Sequence, residues 1–154
     1  MRLDHAWIAA HIPQQGSMCL LEEVLAWEPL HILCSSRSHR SENNPLRAHG
    51  RLGAACAIEY AAQAMAIHSV LLQGAAGAPG DFGMLASARG VEFTFQRLDE
   101  LPVELQVSVQ RLHADSLSAL YAFELRAPAL AQVLARGRLS ALLATGGARS
   151  ALLP

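Results

Sequence analysis

The sequence predicts an α+β fold, an antiparallel β-sheet wrapped around one long central helix. Three observations carry this. Residues 53–73 are rich in alanine, with Ile58, Met65, Ile67, Val70 and Leu71, and hold no proline. Alanine loses no side-chain entropy in a helix, so this stretch is the strongest helix former in the chain. After Gly83 the apolar period changes from helical to two. A single sheet must cover its apolar face, and the central helix is the one element long enough to do so.

In chain order, residues 5–11 form one or two helical turns before Pro13. The apolar run 18–27 and the run 31–38 flank Glu28-Pro29-Leu30 and make a hairpin. Residues 40–52 are polar and rich in turn formers, hence a loop. In the helix that follows, apolar residues surround the axis, so it is buried on most sides. The Gly-rich stretch 74–83 ends it as a flexible connection. Val91, Phe93 and Phe95 then alternate with polar residues, as do Val103 to Val109, Leu117 to Leu125 and the run 130–143. Asp99 to Pro102, Ala114-Asp115 and Ala127-Pro128 read as turns, and the four strands as an antiparallel meander with one wet face. The tail 145–154 is expected to fray.

At 154 residues, 52% hydrophobic and 16% charged, the chain is read as one domain over 1–154, and disorder is excluded. A net charge of −1 argues against nucleic-acid binding. Glu59, Tyr60, Gln63 and His68 interrupt the apolar stretch 53–72, which suits a buried helix better than a membrane span. The N-terminus lacks the apolar core of a signal peptide, so a soluble cytoplasmic protein is expected. Cys19, Cys34 and Cys56 form no CxxC and read as small buried hydrophobes. All twelve cationic side chains are arginine. There is no HExxH, EF-hand loop, GxSxG, P-loop or GxGxxG, so neither a metal nor a cofactor is expected.

Two segments carry a family likeness. One is Ile12-Pro13-Gln14-Gln15-Gly16-Ser17-Met18-Cys19-Leu20-Leu21-Glu22-Glu23-Val24. The other is Asn44-Pro45-Leu46-Arg47-Ala48-His49-Gly50-Arg51-Leu52, running into Ile58-Glu59-Tyr60-Ala61-Ala62-Gln63-Ala64-Met65-Ala66. Together with the element order, they resemble hotdog-fold 3-hydroxyacyl-ACP dehydratase-like proteins of aryl-polyene-type biosynthetic clusters. The likeness covers about residues 5–143. It implies a hotdog fold and dehydration of a 3-hydroxyacyl thioester on an acyl carrier protein to the 2-enoyl thioester. Where the family's N-terminal motif usually has His after the proline, this chain has Gln14.

Glu59 is the sharpest candidate. An ionised carboxylate in an apolar helix costs several kcal/mol unless paired, so its pKa is expected to rise. A protonated carboxyl is the acid a dehydratase needs at the leaving hydroxyl. The bland alternative is a structural Glu paired with Arg or across an interface. Gln63, at i+4, shares its face and either orients the carboxylate, lines a pantetheine tunnel, or is satisfied at the helix surface. His49 is the candidate general base, with a solvated loop histidine as the alternative. His11 and His39 rank behind it. His68 lies about 180° around the helix from Glu59 and is not expected to share its site. With the resemblance, Gln14, Gly53, Ala54 and Gln63 are candidate substrate contacts, the helix start offering N–H groups to a thioester carbonyl. Arg47, Arg51, Arg136 and Arg138 either meet an acidic carrier protein or are merely solvated.

Two further readings stay open: a non-catalytic hotdog subunit of a dehydratase heterodimer, and an acyl thioesterase in which Glu59 activates water. A thin core and an uncovered sheet edge call for self-association, as a homodimer or higher oligomer or as a heterodimer with another hotdog protein.

Overall fold

The computed structural model describes residues 2–74 and 84–142. The connection 75–83 and the tail 145–154, expected to be flexible, lie outside the described residues.

Helix α1 spans His5–His11. The Asp4 side chain accepts from the Trp7 N–H and caps it, and it stops at Ile12, the residue that Pro13 forces to extend. Strands β1 (Glu23–Glu28) and β2 (His31–Ser36) form the expected hairpin, with Glu28 opposite His31 across Pro29-Leu30. Met18 does not join β1 because it closes a 3-10 turn at Gly16–Met18, and residues 19–22 lead from that turn into the strand. The central helix starts as a 3-10 turn at Ala54–Cys56 and continues as α2, Ala57–Gln73. It ends at Gly74, whose φ of 75° is open to glycine at little cost. Ala54–Gln73 has the length and composition of a membrane span, yet Ala57, Tyr60, Ala61, Ala64 and Ile67 are fully buried against the sheet. Each large apolar side chain covered in this way contributes about 1.5–3 kcal/mol.

The remaining strands are β3 (Met84–Phe93), β4 (Leu105–Ala114), β5 (Ser118–Ala127) and β6 (Gln132–Leu142). They complete an antiparallel sheet of order β1-β2-β4-β5-β6-β3 that wraps α2, the architecture predicted from the sequence. Strands β4, β5 and β6 do form a meander, but β3 does not precede them in it. Both edges of β4 are taken, by β2 and β5, so β3 pairs with β6 at the far edge. The stretch from Thr94 to Glu104 is therefore a crossing connection and not a hairpin turn. It is tied to the segment before α2 by Ala54 N–H to Gln96 O (2.9 Å) and Leu98 N–H to Leu52 O (2.8 Å). Asp99, read as a turn residue, is buried there.

Strand β3 is bulged at two places, between Leu85 and Ser87 and between Arg89 and Glu92. Opposite the second bulge, a Cβ on Gly137 would lie 2.9 Å from Val91 Cγ2, so only glycine lets the bulged strand come so close.

Candidate active site

Glu59, Ala62, Ala66 and Ser69 follow one another at spacings of three and four and so form one stripe of α2. Facing this stripe are Pro13 and Gln14 on one side, and Ala119, Tyr121 and Ala141 on the inner face of the sheet. Between them lies a cavity of about 300 Å³, with Met84 and Leu85 at the β3 edge. The alanines make the room: each replaces a side chain that would fill it.

Glu59 is half-buried and lines this cavity. Among the described residues it has no salt-bridge partner; its Oε1 accepts one hydrogen bond, from Gln63 Nε2 at 3.1 Å. Gln63 is fully buried and has no freedom of its own. Its Nε2 also donates to Met18 O (2.8 Å), and its Oε1 accepts from Leu20 N–H (3.0 Å). Both backbone partners, the Met18 acceptor and the Leu20 donor, are fixed, so the amide cannot flip. Gln63 therefore clamps the segment 18–20 to α2 and presents one N–H to Glu59. With Oε1 engaged as an acceptor, a proton on Glu59 resides on Oε2. Gln63 thus bonds the carboxylate and is not among the described residues lining the cavity, where a substrate contact was expected of it.

Gln14 lines the cavity with Glu59, and its Oε1 is buried without a hydrogen-bond partner. An unsatisfied buried acceptor costs about 1–3 kcal/mol, so this oxygen is ready for a donor on a ligand. The structure thus places the Pro13-Gln14 pair beside the helix carboxylate.

The histidines are placed elsewhere. His49 is exposed at the tip of a tight turn closed by Ala48 N–H to Arg51 O (2.9 Å) and Arg51 N–H to Ala48 O (3.0 Å). Its φ of 53° and that of 74° at Gly50 are the left-handed pair such a turn demands. It is not among the cavity-lining residues, and the fold does not bring it together with Glu59 there. His39 is buried, with Nε2 2.9 Å from Leu101 O, and burial pushes its pKa down. His11 stacks on Trp7 with ring centroids 4.1 Å apart. His68 is buried outside the cavity, bonded to the hydroxyl of Tyr121.

At the helix start, the Ala54 N–H is already used by Gln96 O, and Gly53 forms a bridge with Arg97. The Ala54 amide is thus unavailable to a thioester carbonyl, contrary to the expectation for this residue. Arg47 is no free docking cation: it donates to Ser41 O (2.8 Å), Gly50 O (2.9 Å) and His39 O (3.1 Å), stapling the loop. Arg136 pairs with Glu92 at 3.2 Å. A broader cleft of about 810 Å³, lined by Arg89, Glu92, Glu124, Arg136 and Arg138, lies on the outer face of the sheet, away from Glu59. The cysteines are free, and burial pushes the Cys34 thiol up to about 12, as befits an inert core residue.

Sequence reasoning missed Tyr121, Ser69 and Ala119 as cavity residues. The signal was present: Ala119 and Tyr121 belong to the alternating set of β5, and Ser69 completes the Glu59 stripe.

The structure resembles a chain of the dehydratase heterocomplex ApeI:P from Xenorhabdus doucetiae, with TM-score 0.81 and 23% identity over 94% of this chain and 95% of that one. It also resembles zebrafish thioesterase superfamily member 2 (TM-score 0.57, 18% identity, 83% of this chain and 84% of that one). A hypothetical thioesterase protein with coenzyme A from Streptococcus pneumoniae aligns with TM-score 0.54 and 10% identity, over 79% of this chain and 84% of that one. No curated protein matches the chain by sequence. The family model for ApeP-like proteins, described as ApeP dehydratase, matches residues 6–150, nearly the whole chain. With its sheet wrapped around α2 and a carboxylate lining the cavity between them, the chain belongs to the ApeP-like dehydratase family, as its two sequence motifs predicted.

Proposed function

We propose that the chain dehydrates a 3-hydroxyacyl thioester carried on the phosphopantetheine of an acyl carrier protein, with Glu59 as the acid and with the base supplied by a second hotdog chain. A base removes the α-proton, the bond from Cβ to the hydroxyl oxygen breaks, and Glu59 Oε2 gives its proton to the departing oxygen, so that water and the 2-enoyl thioester result. Gln14 Oε1 accepts a hydrogen bond from the substrate's 3-hydroxyl before it leaves.

One observation carries this reading: among the described residues lining it, the cavity holds a carboxyl and a carboxamide but no imidazole. A carboxamide takes up no proton near neutral pH, so Gln14 serves as a binder and not as the base. A second copy of this chain would bring another Gln14. A different hotdog chain bearing a histidine completes the pair, which favours a heterodimer over the homodimer; the neighbour from Xenorhabdus doucetiae is itself part of a dehydratase heterocomplex. The outer edge of β3, beside the cavity and paired with no described residue, is the place for such pairing. The setting proposed is the cytoplasm, where carrier proteins deliver thioesters in solution.

Gln14 equally favours a second reading, a hotdog subunit that shapes the site while the partner performs both proton transfers. One experiment decides. The chain is assayed alone and co-purified with a histidine-bearing hotdog partner, following loss of water from 3-hydroxyacyl carrier protein by mass spectrometry. The proposal expects turnover by the pair only, lost on Glu59→Gln in this chain. Full turnover by the Glu59→Gln pair establishes the second reading, and turnover by this chain alone removes the need for a partner base.

A further inference from the structure

Among the described residues lining the Glu59 cavity, Tyr121 is the only aromatic one. Its hydroxyl lies 2.7 Å from His68 Nδ1, and His68 Nε2 lies 2.8 Å from the Glu28 carbonyl. A carbonyl only accepts, so Nε2 carries the proton, Nδ1 is the acceptor, and the Tyr121 hydroxyl donates to it. Burial pushes the His68 pKa down, which keeps the ring neutral and this arrangement intact. The two rings meet edge to face, at 86° and 5.6 Å between centroids. Tyr121 is thereby held from three sides: by its own strand β5, by α2 through His68, and by the β1–β2 hairpin through Glu28.

His68 stands nine residues along α2 from Glu59, about 13 Å of helix rise. The hydroxyl of Tyr121 is fixed at that depth. Of the other described lining residues, Ala62, Ala66, Ala119 and Ala141 present only methyl groups and block nothing. Met65, Met84 and Leu85 are flexible, and the last two are exposed at the β3 edge. Among the described lining residues, Tyr121 is the one rigid, anchored barrier to a chain growing away from the carboxylate.

We propose that Tyr121, pinned by the positioning residue His68, is the end stop of the acyl cavity and selects substrates by acyl-chain length; this rests on the reading of the cavity as an acyl-thioester site. The test is the binding of a ladder of 3-hydroxyacyl-pantetheine thioesters of increasing chain length, by calorimetry, to the chain in complex with its hotdog partner. Wild type should bind more tightly with length up to a limit and then more weakly. Tyr121→Leu should move that limit to longer chains, changing the preference between the two lengths that straddle it by about tenfold or more, the weight one methylene carries in a fitted pocket. Tyr121→Phe and His68→Leu keep the ring but release it, and should blunt the cut-off without moving it as far.

A Tyr121→Leu protein that is folded and keeps the wild-type length profile overturns the end stop while leaving the acyl site standing. If that variant does not fold, the volume-conserving Tyr121→Phe decides: an unaltered cut-off, with only a lowered Tm, makes the His68–Tyr121 pair structural. Wild type that binds no member of the ladder overturns the acyl-site reading itself.

Discussion

Glu59 and Asp99 are two carboxylates drawn in from solvent, and the fold treats them in opposite ways. Asp99 is saturated. Its oxygens accept from Leu52 N–H (2.9 Å) and from Arg97 Nε (3.2 Å) and Nη2 (2.6 Å), with Arg47 at 3.9 Å. The Arg97 hydrogen bonds, above all, hold its carboxyl well below the usual carboxylate range, against the opposing effect of burial. Glu59 has one amide N–H, no cation within salt-bridge distance among the described residues, and an open side toward a cavity. A carboxylate whose lone pairs are all spoken for holds two loops together. One that is oriented but left unfilled is available to a ligand.

The sharpest way to break this contrast is to neutralise each carboxylate in turn. Glu59→Gln should cost the partnered enzyme about 10²–10⁴-fold in turnover, the usual worth of a general acid. Its Tm should move by no more than a degree or two, which differential scanning fluorimetry checks. Asp99→Asn should do the reverse. Losing the charge while keeping the shape strands Arg97 and weakens the Leu52 bond, and should lower the urea unfolding free energy by about 2–3 kcal/mol. Turnover per folded molecule should change little.

The pH dependence separates the pair further. Because the folded-state pKa of Asp99 is depressed, its contribution to stability is complete above its ordinary value of 3.8 and is lost as pH falls below it toward the folded value. Urea midpoints taken from pH 6 down to pH 3 should fall more steeply for wild type than for Asp99→Asn.

Gln63→Leu sits between the two carboxylates in kind. It removes the clamp on Met18 and Leu20 and frees the Glu59 rotamer, so both Tm and turnover should drop, the latter by about tenfold. A loss of stability with turnover per folded molecule intact would reduce Gln63 to a staple. The smallest effect belongs to His49→Ala. A residue at an exposed turn tip outside the cavity should leave turnover within about twofold, and a larger loss would return His49 to the role of base.

The sequence carried the elements because periodicity is local. Alanine content and the change of period at Gly83 are written into neighbouring residues, and so was the Glu59 stripe. The place of β3 was not legible, since it depends on which edges of β4 are still free after β2 and β5 have paired. Asp99 shows the same limit: next to Glu100 and Pro102 it reads as a turn, and only the crossing of residues 94–104 over the helix start buries it beside Arg97. Tyr121 and His68 lie on different elements, 53 residues apart, and no spacing rule joins them. Ala54 failed as an amide donor for a similar reason, its N–H having been claimed by Gln96 from beyond the helix.

The two bulges in β3 have a consequence for the company the chain keeps. A straight outer strand offers donors and acceptors in a regular beat, and any extended peptide can zip along it. Each bulge drops one beat and adds twist, so the outer side of β3, to which no described residue is paired, carries a syncopated pattern. A strand that reproduces the missing beats can lie along it over its full length; a generic one loses register at the first offset. The apolar side chains there, Met84, Leu85 and Phe93, are exposed and would otherwise invite indiscriminate sticking. With β3 as the proposed pairing edge, the irregularity that needs a glycine at 137 would act as a filter, leaving the edge available to a matched strand while refusing the crowd.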